Sequence, residues 1–194
     1  MLILYGKISG HMKFLNPRQH KQRGFTIVEL LIVIVVIAIL AAISVVAYNG
    51  IQQRAYNTKV IAGANQYYKA FLEYKAVNDS YPSVNSCLGA NYPSNNCWAT
   101  SSNGTGAVMS VNATLDSSLS EFVKTKPEVG IDLINIVIVN QFRGGAFYYP
   151  TGTAYSTNAP LIGYYLKGNN ADCSMKVSQQ TNEGPLTQCL IALP

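Results

Sequence analysis

Histidine is confined to the first twenty residues of this 194-residue chain, where His11 and His20 lie. Most familiar catalytic triads and zinc sites need an imidazole. No nucleophile elbow and no cluster of carboxylates follows Gly24 to take its place. The sequence therefore predicts a protein that is not an enzyme and that binds neither a cofactor nor a metal.

The chain carries no net charge after Gly24, because nine Lys and Arg there balance nine Asp and Glu. From Asp79 to the C-terminus, five basic residues face seven acidic ones. A DNA-binding surface needs a basic stripe with aromatic residues between, so the charge does not indicate DNA as a partner, although folding could still form a local patch. The excess of +5 lies entirely in residues 1–24, which contain five basic residues and no acid: Lys7, Lys13, Arg18, Lys21 and Arg23.

Gly and Pro are absent from residues 25–47, which carry a single charge, on Glu29. As a helix these 23 residues span roughly 30 Å, enough to cross a bilayer, and they are too many for the apolar region of an ordinary cleaved signal. The basic residues before the segment place the N-terminus in the cytoplasm and the rest of the chain outside. We therefore expect a single-pass transmembrane helix.

Helical spacing continues after this apolar segment, so residues 48–78 are predicted to be its amphipathic continuation. The first terminator is the cluster at residues 78–82, and Gly50 and Gly63 are weak points where the helix could bend. Apolar positions recur every three or four residues at Val60, Ala64, Tyr67, Phe71 and Tyr74. Five tyrosines are expected to pack along it: Tyr48, Tyr56, Tyr67, Tyr68 and Tyr74.

Residues 79–194 are predicted to form one globular head of the α+β class, with the long helix packed on a small antiparallel sheet. Residues 80–114 are rich in Ser, Asn, Gly and Thr and are expected to form a long loop. A short amphipathic helix should follow, capped by Asn112 or Thr114 and marked by Leu115, Leu119, Phe122 and Val123. Short apolar runs then predict strands at 131–139, 146–149, 161–166, 175–178 and 189–192.

The four cysteines lie in the part of the chain that is placed outside the cytoplasm, which favours two disulfides over a metal site. Proximity along the chain pairs Cys87 with Cys97 and Cys173 with Cys189. Four cysteines allow three pairings, and free buried thiols are the alternative.

The junction Lys21-Gln22-Arg23-Gly24-Phe25-Thr26-Ile27-Val28-Glu29 resembles the processing site of type IV prepilins and pseudopilins. In that family a basic leader ends in glycine, a membrane peptidase cuts after it, and the new N-terminal residue is N-methylated. The resemblance implies cleavage between Gly24 and Phe25, a methylated Phe25, and a role in assembly for Glu29. The alternative is an uncleaved signal-anchor helix, which leaves Glu29 unexplained.

The resemblance also implies a pilin fold, a cleaved leader at residues 1–24, and a mature protein that polymerises into an extracellular filament for adhesion, twitching motility or DNA uptake. Met12 is an alternative start that would shorten the leader. The implied partners are further copies of the chain, the prepilin peptidase, the assembly platform, minor pilins and, before assembly, the membrane. Two alternatives stay open, namely a minor pilin or pseudopilin of a type II secretion or competence machine and, more remotely, a signal-anchored extracellular binding domain.

Overall fold

The computed structural model describes residues 24–130 and 132–194, so most of the predicted leader, with both histidines and Met12, lies outside it. The described chain forms two units, one ending at Ser44 and one running Val45–Pro194. Helix α1, Ile27–Asn78, runs through both, and a short helix α2 follows at Ala113–Leu119. The strands are β1 Ser86–Leu88, β2 Asn96–Ala99, β3 Ala107–Ser110, β4 Ile134–Ile136, β5 Gln141–Arg143, β6 Ala146–Tyr149, β7 Leu161–Lys167, β8 Gln179–Glu183 and β9 Leu186–Ala192.

The second unit contains two antiparallel sheets besides its helices, with strand orders β1-β6-β7-β9-β8 and β3-β2-β5-β4. Strands β7 and β9 pair over their full seven residues, from Leu161 opposite Ala192 to Lys167 opposite Leu186. The α+β class with one long N-terminal helix is therefore confirmed, but the head contains two small sheets where a single one was expected.

The apolar face of α1 in the second unit is buried, as its spacing predicts, at Val60, Ala64, Tyr67 and Phe71. Phe71 stacks on Tyr148 of β6 with ring centroids 4.3 Å apart. The helix therefore joins the core of the five-stranded sheet.

Four of the five tyrosines of α1 pack against the core of the second unit. Tyr67 is 2 % exposed, and its hydroxyl accepts a hydrogen bond from the backbone N–H of Gly89. Burial raises the pKa of Tyr67. Tyr56, Tyr68 and Tyr74 are partly buried against the core, whereas Tyr48 is exposed and does not pack there.

The segment 80–114 is not one loop, because it contains β1, β2 and β3. These strands are three or four residues long, too short for a clear alternation of apolar and polar residues. Ser86 of β1 pairs with Tyr148 of β6, a partner far along the chain, so only the tertiary fold defines β1. The predicted strand at 175–178 was likewise wrong, since the structure places β8 at the exposed polar residues 179–183.

Helix α2 begins where the cap was predicted and ends early. The Asn112 side chain accepts a hydrogen bond from the Thr114 backbone N–H at 2.9 Å. The helix ends at Leu119, and the backbone N–H groups of Phe122 and Val123 both donate to the Leu119 carbonyl in a closing turn.

Gly63 has a packing role that the sequence did not reveal. An ideal Cβ at this position would lie 2.1 Å from Val129 Cγ1, and Val129 is fully buried. The 127–130 segment is also tied to α1 by Lys59, whose Nζ lies 2.5 Å from Glu128 Oε2. Hydrogen bonds from Lys59 and Asn91 hold the pKa of Glu128 below its ordinary value.

Replacing Gly63 by alanine should therefore lower the free energy of unfolding by about 1–3 kcal/mol, because the added methyl overlaps a buried side chain. Gly50→Ala is the matched control, since a Cβ there meets nothing within 4 Å and alanine favours helix by roughly 1 kcal/mol. Denaturant unfolding of the full chain in detergent measures both. A midpoint for Gly63→Ala equal to that of wild type would contradict the close contact.

Candidate functional site

The predicted cleavage site lies at the start of the first unit, where Gly24 and Phe25 are both exposed. A Cβ added to Gly24 would meet nothing within 4 Å. Within residues 24–130 and 132–194, no contact therefore requires glycine at this position.

Thr26 and Glu29 form a capping box at the N-terminus of α1. The backbone N–H and the hydroxyl of Thr26 both donate to Glu29 Oε2 at 2.8 Å, and Thr26 Oγ1 accepts from the Glu29 backbone N–H at 3.2 Å. Two N–H groups that the first helical turn leaves free are satisfied in this way. Glu29 thus stabilises the start of its own helix.

Thr26 is the residue of this site that the sequence reasoning missed. The signal was present, because a threonine followed three residues later by glutamate, just before an apolar run, is the signature of a capping box. The box occupies only one carboxylate oxygen of Glu29. Within residues 24–130 and 132–194, no hydrogen bond reaches its Oε1.

The rest of the first unit offers an uncovered apolar surface. Every residue from Gly24 to Ser44 is exposed, and this part of α1 is long and apolar enough to cross a membrane. Monomeric soluble proteins rarely expose contiguous apolar patches beyond a few hundred Å². The segment therefore needs lipid or other protein chains around it.

Both predicted disulfides form in the second unit, and no described cysteine is free. Cys87 of β1 bonds to Cys97 of β2 and so joins the two sheets. Cys173 bonds to Cys189 and ties the segment after β7 to β9. All four cysteines are buried, and among the described residues no group of His, Cys, Asp or Glu could hold a metal ion.

Comparison with known proteins places a family motif over the junction between Gly24 and Phe25. The family model for the prokaryotic N-terminal methylation motif matches residues 19–45. The chain carries this methylation motif. The motif includes Gly24, Phe25, the capping box and the first turns of α1, so the resemblance to type IV prepilins and pseudopilins is confirmed.

Similar proteins include pilus and secretion components. A fimbrial protein of Neisseria meningitidis is 38% identical over 68 residues, which are 35% of this chain and 40% of the relative. The type IV wide pilus major component PilA4 of Thermus thermophilus is 42% identical over 66 residues, covering 34% and 50%. The type II secretion system core protein G of Escherichia coli is 37% identical over 68 residues, covering 35% and 47%.

The chain thus spans half or less of the length of these relatives. Their names denote fimbrial, pilus and secretion-system components, and none denotes an enzyme. No solved structure matches the chain.

Removing the Cys173–Cys189 disulfide should lower the free energy of unfolding by roughly 3 kcal/mol, the chain-entropy value for a closed loop of about 15 residues. The double substitution Cys173→Ser and Cys189→Ser avoids leaving a lone thiol. Urea unfolding can be followed by the fluorescence of Trp98, the single tryptophan of the chain. An unchanged midpoint would show that this disulfide does not stabilise the head.

Proposed function

We propose that this chain is a structural subunit of a type IV pilus, cut between Gly24 and Phe25 by a prepilin peptidase and polymerised into an extracellular filament. One observation carries the proposal: a methylation motif at residues 19–45 covers the start of helix α1, and residues 24–44 are all exposed and almost entirely apolar. Such a surface suits the membrane first and the packed helices of a filament afterwards.

The precursor is proposed to span the membrane once, with residues 1–24 in the cytoplasm and the head outside. The five basic residues of the leader support this orientation. After cleavage the first unit would leave the bilayer and pack among further copies of the chain, with the assembly platform and minor pilins as helpers.

Glu29 is proposed to pair with the N-terminal amine of a neighbouring subunit. Cleavage creates that amine at Phe25, and methylation leaves it positively charged. Away from water an unpaired charge costs several kcal/mol, so a carboxylate among packed apolar helices needs a cation. Oε1, which no hydrogen bond reaches among the described residues, can accept from the amine while Oε2 keeps its bonds to Thr26.

A minor pilin or a pseudopilin of a secretion machine is the second candidate. It is supported by the similarity to core protein G, which is nearly equal to that to the fimbrial protein over the same number of residues, 37% against 38% over 68. The amount of protein separates the two candidates, because a major pilin should dominate sheared filaments.

Adhesion and twitching motility fit the proposed subunit better than direct capture of DNA by the head. Three of the five basic side chains of the head are already paired with carboxylates: Lys126 with Asp116, Arg143 with Glu183, and Lys167 with Asp132. DNA affinity depends on Lys and Arg side chains that can replace the counterions of the phosphates. The ion pairs reduce the number of basic side chains that are available for this.

If the chain is cut between Gly24 and Phe25, the protein in filaments should begin at Phe25 and carry one methyl group. Mass spectrometry of sheared filaments measures both. Gly24→Val should leave the precursor uncut in the membrane, because a branched side chain would obstruct the backbone in the peptidase site. Gly50→Val serves as a control for a bulkier residue elsewhere on α1, since its Cβ also meets no neighbour, and it should be cut normally. Assembled protein that still begins at Met1 or Met12 would refute the proposal.

The proposed charge pairing predicts that Glu29→Gln and Glu29→Val precursors are both inserted into the membrane and cleaved after Gly24, but that both enter filaments poorly. Glutamine keeps an oxygen that can accept from Thr26, so it separates loss of charge from loss of the cap. The measurement compares processed subunit in membrane and sheared-filament fractions.

Thr26→Val is the matched control, because it removes the capping hydroxyl and keeps the carboxylate charge. Its cost is about 1 kcal/mol of helix stability, and filament yield should stay close to wild type. If Glu29→Gln assembles normally while Thr26→Val does not, Glu29 acts through the cap and not through charge pairing.

A further inference from the structure

A cleft of ≈ 400 Å³ opens in the second unit between the two sheets. Its lining includes Trp98 of β2, Arg143 of β5, Tyr149 of β6, Glu183 of β8 and the loop residue Tyr155. Its size falls within the range of roughly 300–1,000 Å³ that is usual for small-molecule sites. The cleft lies outside the methylation motif at residues 19–45.

Tyr155 gives the cleft an exposed aromatic ring that is nevertheless held in place. Its side chain is 65 % exposed, yet its ring stacks on Tyr149 with centroids 4.9 Å apart and meets the edge of Trp98 at 6.1 Å. A rigid aromatic ring offers contact area to a ligand at a low cost in conformational entropy. Tyr155 therefore forms a ready-made platform.

Arg143 forms a fixed polar wall beside that platform. Its guanidinium lies 4.5 Å from the Trp98 ring centroid. It donates to Glu183 Oε2 at 2.6 Å and to Gln141 Oε1 at 2.9 Å. Both charges of the Arg143–Glu183 pair are mostly buried and satisfied by each other, so a charged ligand would have to disrupt the pair.

We propose that this cleft binds a sugar ring of a neutral oligosaccharide. A pyranose has an apolar face of C–H groups that can lie on Tyr155, and a rim of hydroxyls that both donate and accept. Gln179 and Gln188 line the cleft with amides of the same dual character. Single-stranded nucleic acid also stacks on aromatic rings, but it needs an unpaired basic groove, which the Arg143–Glu183 pair does not provide.

Trp98 makes the proposal directly testable, because it is the single tryptophan of the chain and lines the cleft. The full chain is purified in a detergent without a sugar headgroup and screened on a printed array of neutral oligosaccharides. Lactose, maltose, cellobiose and the best oligosaccharide from the array are then titrated while Trp98 fluorescence is recorded, with a thymidine oligonucleotide in parallel. We expect a saturable change with at least one sugar and none with the oligonucleotide.

Variants of Tyr155 test the platform. Tyr155→Ala should raise the Kd about tenfold, and Tyr155→Phe, which keeps the ring, should stay within about twofold of wild type. Tyr48→Ala is the matched control, because Tyr48 is similarly exposed, at 61 %, but does not line the cleft. Its affinity should not change.

Three results would each overturn the proposal: no saturable response to any sugar, wild-type affinity in Tyr155→Ala, or a response only to the oligonucleotide. Circular dichroism of Tyr155→Ala excludes misfolding as the cause of a lost signal. Because detergent-solubilised chain is used, the outcome is independent of whether the chain forms filaments.

Discussion

The exposed apolar surface of residues 24–44 is the constraint on which the rest of the molecule depends. Each Å² of apolar surface left in water costs about 25 cal/mol, and every residue from Gly24 to Ser44 is exposed in the described chain. The segment must therefore lie in lipid or among other helices. Both environments exclude water, so both tolerate the one carboxylate at Glu29 only when its charge and hydrogen bonds are satisfied.

The second unit gains its stability from a different set of interactions. Strands β7 and β9 are seven residues long, but β1, β4 and β5 have three residues each, so backbone pairing alone holds those three weakly. The Cys87–Cys97 bond ties the edge strand β1 to the neighbouring sheet. Buried tyrosines add apolar area, and their hydroxyls bond to backbone groups, as Tyr92 does with Leu88 and Ala146. The three partly exposed ion pairs, Lys59–Glu128, Lys126–Asp116 and Lys167–Asp132, contribute little beside these.

The sequence predicted those features whose signal is local. The apolar run and its spacing predicted α1, short apolar runs predicted β6 and β7, and Asn112 predicted the start of α2. Strands β1 and β8 could not be predicted in this way, because β1 is defined by partners about 60 residues away and β8 is a polar edge strand beside β9. The cleft at Tyr155 could not be predicted either, since its lining comes from six strands and one loop that are distant in the sequence. The capping box was local and was missed although its spacing was visible.

The capping box also changes how Glu29 can be understood. A carboxylate that stabilises its own helix needs no partner to explain its presence, so the residue type alone is weaker evidence for an assembly role than it first appears from the sequence. The geometry is compatible with both capping and the proposed pairing. Thr26 donates two hydrogen bonds to Oε2, and no hydrogen bond reaches Oε1 within the described chain. The cap fixes the rotamer of Glu29, and a fixed carboxylate loses less conformational entropy when it meets an amine. Capping would then prepare the charge for pairing and not compete with it.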